Sequence, residues 1–266
     1  MSTSSLISLA QNRRTIYKLG KASPVKDADS KIEELVNEAI LHVPSSFNTQ
    51  STRLVVLLHG EHDKLWDIAI EAFGGLVKSG TVSQEMWENQ TLPKLKGFQA
   101  AYGTVCSCFI SYVLLSSPSV VIDLSNLCAV YYRSSSSKIQ PISNPSKRNS
   151  LPSRIISRRG LIILMLCISI SVCILFSPSF SFLVSFIQVS CAMLTISSVW
   201  TGLEALGFGA NLQHYNPLID AGVAKQWNLP SEWRLVAQMV FGSPEAGPGE
   251  KVQKPVEDRV KFFGKL

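Results

Sequence analysis

Acidic side chains are missing from the middle of this 266-residue sequence. No Glu stands between Glu88 and Glu204, and Asp123 is the sole acid among residues 104–190. Residues 1–103 carry 11 basic and 11 acidic side chains, residues 191–266 carry 7 and 7, and residues 104–190 carry 7 basic ones. The net charge of +6 therefore comes from that one stretch. It does not describe the surface of a basic domain, which argues against nucleic acid as a partner. The opening Met1-Ser2-Thr3-Ser4-Ser5 has no basic segment followed by an apolar one, so no signal peptide is expected. Without secretion, the six cysteines are expected to be free thiols rather than a disulfide framework. Metal-site spacing is absent as well. His59-Gly60-Glu61-His62 is not His-Glu-x-x-His, and neither Cys106-x-Cys108 nor Cys167 with Cys173 has paired zinc spacing. There is no Gly-x-Ser-x-Gly elbow and no phosphate-loop lysine motif.

What is present suits one large domain or two small ones. Hydrophobic residues make up 46% and charged residues 17%, enough for a sizeable buried core. A first helix is expected over Ser4–Leu9, continuing toward Arg13 and Arg14. A second is expected from Ser30, with Glu33 at capping-box spacing and Ile32, Leu35, Val36, Ala39 and Ile40 on one face. Pro44-Ser45-Ser46 ends it in a polar loop. Arg53–Leu58 reads as a buried strand, Asp63–Phe73 as a helix with Leu65, Trp66, Ala69 and Phe73 inward, and Phe98–Val105 as another strand. Later, Met193–Leu206 reads as a helix broken at Gly207-Phe208-Gly209, Asp220–Trp227 as a short helix and Arg234–Phe241 as a strand. Gly242–Gly249 reads as a loop before a short basic tail.

Residues 106–190 continue neither part. Ser supplies 22 of the 87 residues in 104–190, the stretch 134–153 has the composition of a disordered linker, and no charge occurs between Arg159 and Glu204. The apolar segment 160–187 exceeds the roughly 20 residues needed to span a bilayer, and Arg154, Arg158 and Arg159 precede it.

Four stretches, taken in order, resemble the FMN-dependent nitroreductase family. They are Arg13-Arg14-Thr15-Ile16-Tyr17, Pro44-Ser45-Ser46-Phe47-Asn48-Thr49-Gln50-Ser51, the run from Trp200 through Gly207-Phe208-Gly209 to Gln213-His214-Tyr215-Asn216-Pro217, and a late Arg259. The nearest likeness is to the fungal branch linked to fatty-acid-dependent regulation and oxidative stress. It covers residues 1–105 and 191–266. The resemblance implies an α+β fold, a mixed sheet flanked by helices and interrupted by the Ser-rich, apolar insert at 106–190. It further implies a domain-swapped homodimer with FMN at its interface, NAD(P)H as donor and a nitroaromatic or quinone-like acceptor. No side chain need act as acid or base, because the flavin carries the chemistry.

The family's cofactor residues map onto eight positions. Arg13 and Arg14 suit a phosphate through their planar charged forks and, on a helix, would point about 100° apart. Thr15 offers a hydroxyl. Ser45, Ser46 and Asn48 match the loop that meets the flavin ring across the dimer. Gly207 lets backbone N–H groups approach the ring, and Arg259 matches a C-terminal phosphate ligand. Each piece also has a plainer meaning: a solvated arginine face, a turn, a helix C-cap, and core positions for Trp66, Trp87, Trp200 and Trp227. A non-catalytic regulatory protein of lipid or stress signalling is the alternative function. A cytoplasmic protein, present also in the nucleus, is expected. A single-pass membrane protein follows instead if 160–187 inserts. For residues 106–190 themselves, a lineage-specific insertion, a membrane segment and a retained intron compete, and the replacement of native elements, where an insertion would only lengthen a loop, favours the retained intron.

Overall fold

The computed structural model describes residues 3–110 and 178–265. In chain order the elements are α1 (Thr3–Asn12), β1 (Leu19–Gly20), α2 (Ala28–His42), a 3-10 turn (Ser46–Asn48), β2 (Thr52–Leu58), α3 (His59–Lys78), α4 (Gln84–Met86), a π-helical turn (Trp87–Thr91), α5 (Leu92–Gln99), β3 (Gly103–Ile110), α6 (Pro178–Ala205), β4 (Gly209–Gln213), α7 (Asp220–Gln226) and β5 (Trp233–Pro244). The sheet order is β1-β5-β3-β2, with β4 also paired to β5. These pairings are antiparallel, and the parallel component is an isolated bridge between Thr15 and Ala210.

Two apolar layers sandwich the sheet. Leu57, Leu65, Trp66, Leu95, Phe98, Cys106 and Val240 fill the layer beneath α3, α5 and α7. Ile32, Val36, Val105, Ile196, Leu203, Met239 and Phe241 fill the layer beneath α2 and α6. β3 alternates between the two: Val105 faces one layer and Cys106 the other, and seven of its eight residues are buried. A strand covered on both faces loses the polar-apolar alternation that marks a half-exposed one. That is why the strand expected over Phe98–Val105 lies further along. Phe98 belongs to α5, which continues the π-helical turn without a break, Leu92 N–H donating to Trp87 O. β3 then continues through Cys106, Cys108 and Ile110, with Cys106 opposite Val55 and Gln238 and Cys108 opposite Arg53 and Leu235.

Other boundaries move for local reasons. α2 opens at Ala28 behind Asp27, whose φ is +55°, and not at Ser30; Lys31 N–H already donates to Asp27 O. Of its expected inward face, Ile32, Val36 and Ala39 are buried, whereas Ile40 is exposed. β4 was not expected from its composition, since Gly209-Ala210-Asn211-Leu212-Gln213 lacks β-branched residues; pairing with β5 makes it a strand. α6 begins at Pro178, well before Met193. Its window Ser185–Ala205, with hydropathy 1.4, is long and apolar enough to cross a membrane by length and composition. Here that window lies on the sheet and against α2, with Phe186 and Leu194 exposed on its outer side. The linker 134–153 and residues 160–177 of the apolar segment lie outside the described residues.

His62 of α3 occupies a closed polar pocket in the core. Its Nε2 lies 3.1 Å from Phe98 O, which can only accept, so Nε2 carries the proton. Nδ1 then accepts from Thr104 Oγ1 at 2.9 Å, and Thr104 Oγ1 accepts in turn from Trp66 Nε1 at 3.2 Å. The neutral ring satisfies every partner. Burial pushes its pKa down to about 4 from an ordinary 6.5. The unfolded chain takes up this proton first, so His62 contributes stability that is complete above pH 6.5 and lost as pH falls toward 4. We expect the urea midpoint to fall across that window, by up to about 1.4 kcal/mol per pH unit from this group. His62→Asn should remove that part of the slope; an unchanged slope would overturn the assignment.

Candidate functional site

The chain between α1 and β1 builds one end of the site. Arg13 N–H still closes the helix on Leu9 O, but Ile16 N–H donates to Ala210 O and Asn211 Nδ2 donates to Ile16 O. The sheet thus pulls this segment straight as soon as α1 ends. Arg13 and Arg14 lie beyond the last residue of the helix, which corrects the expectation that they diverge by a helical angle. Arg13 places its guanidinium 4.6 Å from the Trp200 ring centroid, a cation–π contact. Arg14 Nη2 donates to Gly249 O at 2.6 Å.

Two clefts meet at Arg14. One, of about 270 Å³, is lined by Arg13, Arg14, Thr15, Tyr17 and the segment Gly249–Lys251. The other, of about 260 Å³, is lined by Arg14 with Trp200, Glu204, Gly207, Pro244 and Gly247 among others. Arg13, Arg14 and Lys251 make the first cleft cationic, with Glu250 as its one acid. Two guanidiniums and an ammonium are the donor set that takes up a dianionic phosphate.

Gly207 sits where α6 ends, with φ at +87°. Gly207 N–H donates to Glu204 O and Phe208 N–H to Leu203 O, the paired bonds of a left-handed helix cap. The plainer C-cap meaning of this glycine is therefore realised, and the cap also forms part of the second cleft's wall.

The other candidate residues lie elsewhere. Ser45, Ser46 and Asn48 form the turn between α2 and β2. Ser46 N–H donates to Cys191 Sγ at 3.3 Å, and Gln50 N–H donates to Ser45 Oγ at 3.0 Å. Asn48, at φ +53°, accepts from Gln50 Nε2 at 3.3 Å. Cys191 and Trp200 are nine residues apart on α6, or about 13 Å along its axis, so the turn and the arginine cleft lie apart within one chain. Arg259 joins neither group; its Nη2 donates to Lys254 O at 3.2 Å in the exposed tail.

Trp200, Tyr17, Lys251 and Cys191 were not among the site residues expected from the sequence. Tyr17 carried a signal: Arg13, Thr15 and Tyr17 alternate, as in an extended segment presenting one side. Lys251 and Cys191 carried none, because only the fold brings them to their partners.

Comparison with known proteins decides the family. The Lactococcus lactis nitroreductase CinD, solved in complex with chloramphenicol, is 31% identical; the match covers 97% of this chain and 99% of that one, with a TM-score of 0.62. The chain belongs to the nitroreductase family. Residues 10–115 match the Nitroreductase family profile. The nitroreductase-like protein HBN1 of Saccharomyces cerevisiae is 26% identical over 254 residues, covering 94% of this chain and 93% of HBN1. A nitroreductase-like protein from Exiguobacterium sibiricum, solved in complex with FMN, is 12% identical with a TM-score of 0.55, covers 97% of this chain and 96% of its own, and shares the fold.

Adding a Cβ at Gly207 costs left-handed strain and meets Pro24 at 3.3 Å. Gly207→Ala is expected to lower stability by about 1–2 kcal/mol. A denaturant titration checks this, and unchanged stability would mean that the turn does not hold φ near +87°.

Proposed function

We propose that this nitroreductase-family oxidoreductase binds FMN and uses NAD(P)H to reduce nitroaromatic or quinone-like acceptors as a homodimer. The observation that carries this reading is the cationic cleft of Arg13, Arg14 and Lys251, which meets the cleft beside the Gly207 turn at Arg14. Bound FMN would supply the chemistry, taking a hydride from NAD(P)H and passing electrons to the acceptor. The chain's own residues bind and orient. Arg14 and Lys251 hold the phosphate, and Thr15 adds a hydroxyl. Trp200 holds the Arg13 guanidinium over its ring, which restricts that side chain before any ligand arrives. The turn at Gly207 forms part of the wall of the second cleft.

A dimer suits the separation of the two groups of candidate residues. The 45–48 turn of one copy would complete the arginine cleft of its partner. The outer side of α6 supports this, since Phe186 and Leu194 are large apolar side chains left exposed. The CinD complexes with chloramphenicol and 4-nitrophenol support nitroaromatic acceptors. A role in oxidative stress and a cytoplasmic and nuclear location belong to the same proposal. So does the division of the chain into two nitroreductase parts about an inserted segment. Because β3 pairs through Ile110, a shortened chain should join residues beyond 110 to the start of α6 rather than cut at 105.

The purified protein is expected to be yellow and to oxidise NADH or NADPH in the presence of a nitroaromatic acceptor. Arg14→Ala should weaken FMN binding by roughly ten- to a hundredfold, the loss of a charged hydrogen bond. Flavin fluorescence titration measures it, and unchanged affinity would remove Arg14 from the phosphate site. Arg259→Ala, measured in parallel, reports whether the tail reaches the same phosphate. Asn48→Gly tolerates the left-handed backbone while deleting the amide, so it should change the flavin's reduction potential or the turnover more than its affinity. Collapse of binding with unchanged kinetics would assign Asn48 to the phosphate or to folding.

A further inference from the structure

The turn after α2 holds two non-glycine residues with left-handed backbone, Asn48 at φ +53° and Gln50 at φ +48°. For Gln50 this costs on the order of 1–2 kcal/mol, whereas the short polar side chain of Asn48 tolerates it at lower cost. Part of the restraint is local. Ser45 O accepts Asn48 N–H at 3.0 Å, Ser45 Oγ accepts Gln50 N–H at 3.0 Å, and Gln50 Nε2 reaches Asn48 Oδ1 at 3.3 Å. The rest comes from two side chains on regular elements, the half-buried Arg53 and the buried Cys191. Arg53 of β2 donates from Nη1 to Gln50 O at 2.7 Å and Thr52 O at 2.8 Å, and its guanidinium lies 5.9 Å from the Trp233 ring centroid on β5. Cys191 of α6, buried at 3% exposure, accepts Ser46 N–H at 3.3 Å, and its thiol approaches Ser46 Oγ at 3.6 Å. Without Cys191 the half-buried Ser46 N–H would lose that partner.

We propose that Arg53 and Cys191 are positioning residues that hold residues 45–50 in the shape in which Ser45, Ser46 and Asn48 meet the flavin ring. The inference rests on the FMN reading above. It assigns to a thiol 145 residues away the placement of a turn that local sequence would let relax. Neither side chain touches the cofactor. Both act by fixing a backbone that is strained and therefore would drift, and small displacements of orienting groups are costly to turnover.

The test uses the full chain with Cys191→Val, which fills the site with an apolar side chain and deletes the thiol contacts, Cys191→Ser, which keeps a hydroxyl, and Arg53→Met. In flavin-free protein, Cys191→Val and Arg53→Met are expected to speed amide exchange at residues 46–50 by about tenfold or more, with exchange in β3 and β5 unchanged. In FMN-loaded protein they should lower kcat by roughly ten- to a hundredfold, with the FMN Kd and the KM for NAD(P)H within about threefold of the parent. The reduction potential of bound FMN should shift with them, and Cys191→Ser should recover most of both. A merely structural role would raise exchange throughout the fold and leave the potential alone. Parent-like turn exchange in both Cys191→Val and Arg53→Met would overturn the proposal, as would a parent-like potential and kcat. If Cys191→Val does not fold, Arg53→Met decides the question by the same readouts. If the parent chain binds no FMN, the functional reading fails on that result alone, while the exchange measurement still decides whether the two side chains hold the turn.

Discussion

Three strands pair with β5, and the rest of the molecule depends on that pairing. Trp233–Pro244 bonds to β3 along most of its length, to β4 over Gly209–Gln213 and to β1 at its end. It joins the first hundred residues to the last sixty in one sheet. The crossing is tightest at Gly242, where a Cβ would meet Gly20 O and would lie 3.0 Å from Tyr102 N, so backbone faces backbone with no side chain able to yield. The same strand end fixes β1, and with it the direction in which Arg13 and Arg14 leave α1.

The site inherits its geometry from the sheet's margin. The bridge at Thr15 and the Ile16–Ala210 hydrogen bond hold the arginine segment beside β4. β4 in turn starts two residues after Gly207, where α6 is capped. Arginine cleft and glycine turn are thus neighbours because one continuous run of backbone bonds leaves little freedom between them. The 45–50 turn belongs to another part of α6 and is tied by its own backbone bonds together with the side chains of Cys191 and Arg53.

Burial also settles which titratable groups have a chemical role. Cys106 and Cys108 lie inside the sheet sandwich, where desolvation pushes both thiols up, Cys108 to about 12. They stay protonated and inert at neutral pH. His62 is held neutral by burial, with both ring nitrogens hydrogen-bonded. His59, three residues earlier, instead pairs with Asp29 at 3.0 Å near the surface, and hydrogen bonds from Tyr102 and His59 hold the Asp29 carboxyl below its usual range. Two histidines three residues apart therefore serve as structural ties, one in the core and one near the surface.

Much was legible in the residues alone. Periodicity marked the buried faces of α2 and α3, with Ile32, Val36, Leu65, Trp66 and Ala69 all inside, because amphipathic spacing reports which face meets a core. The ordered motifs carried the family and pointed to the arginines, the serine turn and Gly207. The strands were harder. β3 hides its period because both faces are covered, and β4 exists only because β5 lies beside it. Pairing of distant residues could not be read at all: Ser46 with Cys191, Arg14 with Gly249, Arg13 over Trp200. Sequence by itself determined the composition of the core, the helical faces and the chemical kinds of group available to a phosphate. Only the tertiary structure decided which of those groups share a cleft, since side-chain type and spacing set local conformation, whereas closure of the sheet around β5 sets the distances between parts of the chain more than a hundred residues apart.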